Sequence, residues 1–321
     1  MDFQKIIKEA RPNIKDSSIK MYTQNLKKIL GDSKDHKPLL KFDEIEKKLE
    51  GKSDNTKRNY YNAIIVLLQA SKTPPKILRK YETVRDELNE KYDKNSTAGL
   101  SDKQKENFIE LELIENMLVK MKKEILLKKL NKKDLKDFTK DDKELYDAYF
   151  LFSSYIQLPL RNDLAMTKII TKHQYNDLDE KEKEQNNYLV LAKKNFFLSL
   201  NNYKTSKKYN EKIIEIPKSL MSIYRPYINK QREFGYILTK KNGDPITKNY
   251  LTQFFQKISK KYLKKNISSV MMRKIVLSNK FASVNKEKSD MAHITGHSVA
   301  TMDKHYIKQE EPITEEVKDD S

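Results

Sequence analysis

The chain has 321 residues, which is enough for two ordinary domains that each bury a core. It contains no cysteine and no apolar run close to the about 20 residues that span a bilayer, which excludes disulfides and thiolate chemistry and predicts a soluble intracellular protein. The formal net charge of +19 favours a polyanionic partner, either nucleic acid or an acidic membrane surface.

The first 92 residues are predicted to form one domain of short amphipathic helices. "SSIKMYTQNLKKILG" carries apolar residues on one helical face, and "FDEIEKKLEG" begins with an acidic turn and ends on a glycine. A Ser-Asp pair caps "SDNTKRNYYNAIIVLLQASK", which runs up to two prolines, and "PKILRKYETVRDELNEKY" follows as a further helix. This pattern predicts a compact helical unit that is basic on its outside.

A polar stretch without periodicity, residues 93–104, predicts a linker to a larger domain over residues 105–308. Two helical patterns follow near 108–127 and 142–158. The charged segment between them predicts an exposed turn.

From residue 187 the hydrophobic period changes to that of β-strands. "YLVL", "NFFLSL" and "KIIEIP" are short β-rich runs, and "NNYKTSKKYNE" predicts a hairpin tip between the last two. The chain looks helical again after Pro217, up to an acidic tail over 309–321 that could dock on a basic neighbour or remain solvated. The predicted fold class is therefore mainly α with a small antiparallel β-sheet, an α+β arrangement.

Two basic side chains in the larger domain could act on an anion. "QLPLRNDLAM" places Arg161 after an apolar helix, where a buried or half-buried charge needs an anionic partner or a structural salt bridge to Asp163. "NNYKTSKK" places Lys204 where a strand enters the hairpin, within reach of a bound duplex. A solvated loop lysine is the commoner case, and Lys207 and Lys208 compete for the same role.

A third basic residue and a Gly-His pair lie further along the chain. Arg273 stands in the apolar helix "SSVMMRKIVLSNKF", where an arginine is costly unless it is paired, bound to an anion or able to reach solvent. "ITGHSVATMDKHYIK" contains His297 and, nine residues later, Tyr306. Because the chain has 18 tyrosines and most tyrosines pack, this spacing alone does not identify a nucleophile.

Other chemistries find little support in the sequence. His293 and His297 are four residues apart, but Gly296 interrupts the helix and no carboxylate cluster completes a metal site. The G-x-S-x-G turn of a Ser-His-Asp hydrolase is absent. Six glycines without a G-x-x-x-x-G-K motif exclude a nucleotide-binding loop.

Two arginines, a lysine, a histidine and a tyrosine fit one reaction, the cleavage of a phosphodiester. Guanidinium groups match the two non-bridging oxygens, where negative charge grows as a nucleophile attacks. A tyrosine can form a covalent phosphotyrosine that conserves the bond energy, and a lysine can protonate the departing 5′ oxygen. This reaction needs no metal ion and no cofactor.

In their chain order these residues resemble the pattern of tyrosine recombinases of the phage-integrase class. That pattern is an Arg, a hairpin Lys, a His-x-x-Arg, a Gly-His, and a Tyr nine residues after the His. The matching residues are Arg161, Lys204, Arg273, His297 and Tyr306. The resemblance covers roughly residues 10–308 and implies a helical core-binding domain over 1–92, followed by a catalytic domain over 105–308.

The sequence departs from this pattern at three places. Val270 stands where the His of His-x-x-Arg is expected and cannot transfer a proton, a loss for which Lys274 could compensate. The acidic residue usually three positions after the first arginine appears as Asp163, two positions after it. The interval from Arg161 to Lys204 is longer than in compact members, and an insertion such as "KHQYNDLDEKEKEQ" would account for the difference.

The resemblance implies that Tyr306 attacks the scissile phosphate and forms a 3′-phosphotyrosyl link, with Lys204 as the acid. Arg161, Arg273 and His297 would hold the phosphate. The implied partner is double-stranded DNA, bound by a homotetramer on two duplexes. The lysine-rich, cysteine-free composition resembles integrases of large DNA viruses and virophages, which would act in the host cytoplasm or nucleus. A type IB topoisomerase and a non-catalytic DNA-binding protein with the same fold are the alternatives.

Overall fold

The computed structural model describes residues 2–31, 33, 35–97 and 99–307. The chain forms two compact units, Met1–Ser101 and Asp102–Ser321. The acidic tail predicted over 309–321 lies outside the described residues, as do the side chains of Lys207 and Lys208. Within the described part of the chain, no helix has both the length and the apolar character needed to cross a membrane.

The first unit is helical, as the hydrophobic periodicity predicts. Its core is centred on the fourth helix, whose run from Ala63 to Leu68 is buried and whose first turn is capped by Ser53. The helices are α1 (Phe3–Ala10), α2 (Asp16–Leu30), α3 (Phe42–Leu49), α4 (Asp54–Ala70) and α5 (Pro75–Thr97).

The stretch predicted as a linker, residues 93–104, is helical at both ends. α5 continues to Thr97, and the next helix begins at Asp102. Residues 99–101 are not helical, and Gly99 has a φ of 93°, a conformation that favours glycine. Asn, Ser and Thr have low helix propensity but do not stop a helix, whereas this glycine does.

The second unit contains ten helices among its described residues and one small sheet. The helices are α6 (Asp102–Asn107), α7 (Leu111–Leu127), α8 (Lys140–Gln157), α9 (Lys172–Asn176), α10 (Glu180–Gln185), α11 (Ser206–Tyr209), α12 (Met221–Gln231), α13 (Lys248–Leu263), α14 (Ser269–Ile294) and α15 (Val299–His305). α8 runs through the middle of the core, since almost every side chain from Leu145 to Tyr155 is buried.

The charged segment between α7 and α8 is not the exposed turn that its composition predicted. Leu130, Leu135 and Phe138 are buried in the core of the second unit, while the lysines around them face solvent. Three apolar side chains spaced among many charges are too few to raise the local hydrophobicity. They are enough to hold the segment against α8 once the core is formed.

The sheet contains the three predicted strands and one more. β2 (Asn187–Leu191), β3 (Phe196–Leu200) and β4 (Lys212–Glu215) pair antiparallel in sequence order. β1 (Lys168–Thr171) adds to the edge beside β2 in parallel, so the sheet is mixed. β1 has only four residues and no alternation of burial, which explains why the sequence pattern missed it. The insertion suggested for "KHQYNDLDEKEKEQ" corresponds to α9 and α10, which connect β1 to β2.

α8 ends at Gln157, shortly before Arg161, and therefore helps to position that residue. A capping box fixes the first turn of this helix. The Thr139 hydroxyl accepts a hydrogen bond from the Asp142 backbone N–H at 3.1 Å, and the Asp142 carboxylate accepts one from the Thr139 N–H at 3.2 Å. Asp142 also pairs with Lys128, with 3.4 Å between Oδ1 and Nζ.

We predict that Thr139→Ala lowers the free energy of unfolding of the second unit by about 1 kcal/mol, because one helix cap is lost. Urea denaturation checks this value. Lys140→Ala, an exposed change in the same turn, serves as the matched control and should leave the midpoint unchanged. Equal midpoints for Thr139→Ala and wild type would show that the cap contributes nothing.

Candidate active site

Two of the predicted residues, Arg161 and Arg273, line one cleft of about 510 Å³ in the second unit. Asp163, Glu211 and Lys212 bring the other charged side chains to its lining. The cleft lining therefore contains three basic and two acidic side chains. The excess of positive charge and the presence of two guanidinium groups suit an anion with two equivalent oxygens.

The backbone of Arg161 is fixed by buried residues on α8 and by contacts to α13. The hydroxyl of Tyr155, which is fully buried, donates to the Arg161 carbonyl at 2.8 Å. The adjacent Asn162 amide donates to the Lys248 carbonyl at 2.8 Å and to Thr252 Oγ1 at 2.7 Å. These contacts fix the backbone from which the Arg161 side chain extends, and none of them involves its guanidinium.

The sequence predicted a buried or half-buried Arg161, and this is wrong, because the residue is exposed. The alternative of a salt bridge to Asp163 is not observed either. Among the described residues, Asp163 makes its ion pair with Lys248, at 3.8 Å between Oδ1 and Nζ. The Arg161 side chain follows the end of α8 into the open cleft, which leaves its charge available to a ligand.

Arg273 enters the same cleft from the second turn of α14. Its neighbours Met272, Ile275 and Val276 are buried, while Arg273 itself is half-buried. Its Nε is buried and has no hydrogen-bond partner among the described residues. A buried donor left without an acceptor costs about 1–3 kcal/mol, and more when it is charged. This geometry therefore favours an anionic acceptor in the cleft.

Asp163 lines the same cleft as the two arginines and is buried. Burial raises the pKa of its carboxyl above the usual 3.8, an effect that Lys248, Arg161 and Arg273 only partly oppose. The second acidic residue of the cleft, Glu211, accepts hydrogen bonds from Ser199 Oγ at 2.6 Å and from the hydroxyl of Tyr175. Both carboxylates are thus engaged by groups other than the two guanidiniums.

The hairpin formed by β3 and β4 brings a lysine to the cleft, but it is not Lys204. Lys204 lies exposed in the turn that follows β3 and is not part of the cleft lining, whereas Lys212, the first residue of β4, is. Lys212 was not predicted from the sequence, because it lies on β4 and outside the predicted hairpin tip. A count of the residues that flank the tip on both strands would have included it.

The residue that replaces the expected histidine lies outside the cleft. Val270 is 57% exposed on the first turn of α14 and does not line the cleft. Lys274, considered as its substitute, donates from Nζ to Gln104 Oε1 at 3.1 Å and is not part of the lining either. Neither residue brings a proton donor into the cleft that Arg161 and Arg273 line.

The Gly-His pair has a clear local role, because it ends α14 and starts the turn into α15. Gly296 has a φ of 68°, and the backbone N–H of His297 reaches the Ala292 carbonyl at 2.9 Å. This is the hydrogen-bond pattern of a glycine helix stop. Ser298 then caps α15 by accepting from the Thr301 N–H at 3.1 Å.

The nine-residue spacing brings His297 and Tyr306 into contact. Their rings stack with centroids 4.9 Å apart at an angle of 20°, and Tyr306 is 62% exposed. α15 is held back against α14 by buried Met302 and by an ion pair of 2.6 Å between Lys288 Nζ and Asp303 Oδ1. Within the described ranges, no three His, Asp or Glu side chains come together as metal ligands would.

The His297–Tyr306 pair is far from the cleft of its own chain. α14 is a single helix of 26 residues. At 1.5 Å per residue, the end of α14 at Ile294, after which the chain turns toward the pair, lies roughly 30 Å from Arg273 along this helix. No contact between described residues joins either ring to Arg161 or Arg273. Four of the five predicted residues therefore form two groups, the two arginines of the cleft and the His297–Tyr306 pair. Lys204 belongs to neither group and lies in the turn between β3 and β4.

No family model matches the chain, and no curated protein matches it significantly. Two solved structures of the XerH site-specific recombinase are similar in overall chain course. One, bound to palindromic difH substrate in a post-cleavage complex, is 14% identical with a TM-score of 0.47, covering 93% of this chain and 78% of that one. The other, bound to difH substrate in a pre-cleavage complex, is 12% identical with a TM-score of 0.45, covering 94% and 80%. Similarity this low says nothing about activity.

We predict that Asp163→Asn raises the free energy of unfolding at neutral pH, because a buried carboxylate is replaced by a neutral group of the same shape. Since the folded-state pKa of Asp163 is raised, the wild-type protein loses stability relative to this variant as the pH rises through that pKa. The difference should vanish as the pH falls toward 3.8, where unfolded Asp is protonated as well.

Paired urea titrations of the two proteins from pH 4 to pH 8 check the sign. A variant that is less stable than wild type at pH 8 would show that the arginines need the Asp163 charge.

Proposed function

We propose that the protein is a site-specific DNA recombinase that cuts and rejoins strands through a 3′-phosphotyrosine. The observation that carries the proposal is the meeting of Arg161 and Arg273 in one cleft, with the Nε of Arg273 buried and unpartnered among the described residues. A phosphodiester supplies the acceptor that Arg273 Nε lacks among the described residues. The net charge of +19 supports the DNA backbone as the source of that phosphodiester.

The proposed reaction exchanges one phosphoester for another. Tyr306 Oη forms a bond to the scissile phosphorus while the bond from phosphorus to the 5′ oxygen breaks. The phenol proton leaves to solvent, and a lysine ammonium gives a proton to the departing oxygen. Negative charge that builds on the non-bridging oxygens is stabilised by Arg161 and Arg273, with His297 as a further donor. The 5′-hydroxyl of a partner strand reverses these steps, and no ATP is required.

The acid for the leaving oxygen is proposed to be Lys204, with Lys212 as its rival. The resemblance to the recombinase pattern favours Lys204, which lies in the turn that follows β3. The cleft lining favours Lys212. Both residues lie on one hairpin, so a small shift of its tip upon DNA binding would decide between them.

The proposed partner is double-stranded DNA, and the proposed assembly is a homotetramer that holds two duplexes through a Holliday junction. Contacts to phosphates dominate such binding, so affinity should fall steeply with salt. A viral origin remains a prediction from composition.

Two alternatives differ in what they do to DNA. A protein that binds without cutting is favoured by Val270 and by the distance between Tyr306 and the cleft, and it predicts no covalent adduct. A type IB topoisomerase predicts an adduct on a single duplex and relaxation of supercoiled DNA by one subunit, without junctions.

A nicked suicide substrate, in which the cleaved strand diffuses away, tests for the covalent step. We expect a protein–DNA adduct that survives denaturation for the wild type and none for Tyr306→Phe, because phenylalanine has no nucleophilic oxygen.

Tyr209→Phe is the matched control. Tyr209 is an exposed tyrosine in the lining of the arginine cleft, and it is therefore also the rival nucleophile. If the adduct persists in Tyr306→Phe and is lost in Tyr209→Phe, the nucleophile is Tyr209. If no target yields an adduct with wild type, the protein only binds.

The choice of acid is tested with a substrate whose departing 5′ oxygen is replaced by sulfur. A thiolate leaves without a proton, so the variant that lacks the acid should cleave this substrate at nearly the wild-type rate. General acid catalysis typically contributes about 10²–10⁴-fold, which is the loss expected on the normal oxygen substrate. We predict rescue of Lys204→Ala and not of Lys212→Ala, and the reverse result would assign the acid to Lys212.

A further inference from the structure

The cleft of Arg161 and Arg273 contains a competitor for any bound phosphate, the carboxylate of Glu211. This residue lines the cleft, is exposed, and directly precedes β4. A carboxylate and a phosphodiester both offer a guanidinium a pair of oxygens, so a mobile Glu211 would occupy the position that a phosphate needs. In the structure its oxygen Oε1 is bonded to two hydroxyl groups instead.

The two hydroxyl groups come from different elements of the second unit. Ser199 on β3 donates from Oγ to Glu211 Oε1 at 2.6 Å, and the hydroxyl of Tyr175 on α9 donates to the same oxygen. The two hydroxyl oxygens are 3.0 Å apart. Hydrogen bonds to an ionised acceptor are stronger than those between neutral groups, so this pair of donors holds the carboxylate against the sheet.

The surroundings of Ser199 fix the direction of its proton. The Asn201 amide donates from Nδ2 to Ser199 Oγ at 2.9 Å and to the Asn186 carbonyl at 3.4 Å. Since the serine oxygen accepts from this amide, its own hydrogen is directed to Glu211. Ser199 is fully buried, so solvent does not replace either bond.

The phenol of Tyr175 is fixed as firmly as the serine. Its ring packs edge-on against Tyr188 and Phe197, with centroids 5.8 and 6.0 Å away. Burial, followed by the hydrogen bond to Glu211, raises the pKa of the phenol to about 12. The hydroxyl is therefore protonated at neutral pH and able to donate.

We propose that Tyr175 and Ser199 are positioning residues, which hold the Glu211 carboxylate on the sheet and keep the two guanidiniums of the cleft available to phosphate. This inference rests on the proposed function, in which the cleft holds the scissile phosphate. It gives a role to the segment between β1 and β2, since α9 supplies one of the two donors. It also makes Glu211, once released, an inhibitor of its own site.

The role is tested without cleavage by titrating the protein with inorganic phosphate while NMR follows the side-chain Nε–H signal of Arg273. Arg273→Lys assigns that signal. Tyr175→Phe should weaken phosphate binding about tenfold, because a unit charge a few ångströms away near a protein surface acts on at least this scale. Adding Glu211→Gln to this variant should restore the wild-type affinity or exceed it, since the amide carries no charge.

Tyr188→Phe is the matched control. It removes a hydroxyl from the same ring cluster, one that donates to the Glu182 carbonyl at 2.9 Å and not to Glu211. We expect wild-type phosphate affinity for this variant. An equal loss in Tyr188→Phe, or a loss in Tyr175→Phe that Glu211→Gln does not restore, would show that the phenol only supports the fold. Ser199→Ala removes the other donor and should show the same loss and the same rescue.

The outcomes separate this inference from the proposed function. If the phosphate affinities follow the predicted order but wild type forms no adduct on the suicide substrate, the positioning role stands and the recombinase chemistry fails. If wild type forms the adduct and Tyr175→Phe binds phosphate as tightly as wild type, the chemistry stands and the positioning role fails. An Arg273 signal that phosphate does not move in wild type overturns the positioning role, whatever the adduct shows.

Discussion

The excess of positive charge in the cleft of Arg161 and Arg273 is the constraint on which the proposed chemistry depends. The two nearby carboxylates do not neutralise it, because Asp163 is buried beside Lys248 and Glu211 is bound by Ser199 and Tyr175. Two guanidiniums that line one cleft without a counter-ion repel, and a bound phosphodiester removes that cost. The buried hydroxyl of Tyr155 and the capped α8 hold one side of this arrangement in place.

The same constraint explains why the position of Tyr306 matters. A nucleophile gains from the arginines only while it attacks the phosphate that they hold, and proximity of this kind accounts for much of enzymatic rate acceleration. Arg273 lies in the second turn of α14, whereas Tyr306 follows α15, beyond the other end of that helix. For Tyr306 to attack a phosphate held by the arginines of its own chain, the helix must break. The exposed run with Asn285 and Ser289 is the segment where a break would cost least.

The sequence predicted those features that local patterns determine. The three antiparallel strands follow from their β-rich runs, and the helix stop before His297 follows from Gly296. The stacking of the His297 and Tyr306 rings was not predicted. The missed features depend on contacts distant in sequence. The edge strand β1, the buried Phe138 before α8, and Lys212 in the cleft have no periodic signal of their own. The length of α14 was also missed, because a helical pattern does not say which part of a helix packs against the core.

The most direct test of the central claim, that Arg161 and Arg273 neutralise a scissile phosphate, is cleavage of DNA in which that phosphate is replaced by an uncharged methylphosphonate. Loss of one preplaced donor typically costs about 10²–10³ in rate on the charged linkage. We expect Arg161→Ala and Arg273→Ala to show this loss on the normal phosphodiester and almost none, relative to wild type, on the neutral linkage. An equal loss on both linkages would contradict the account, because the arginines would then act through something other than the charge of the phosphate.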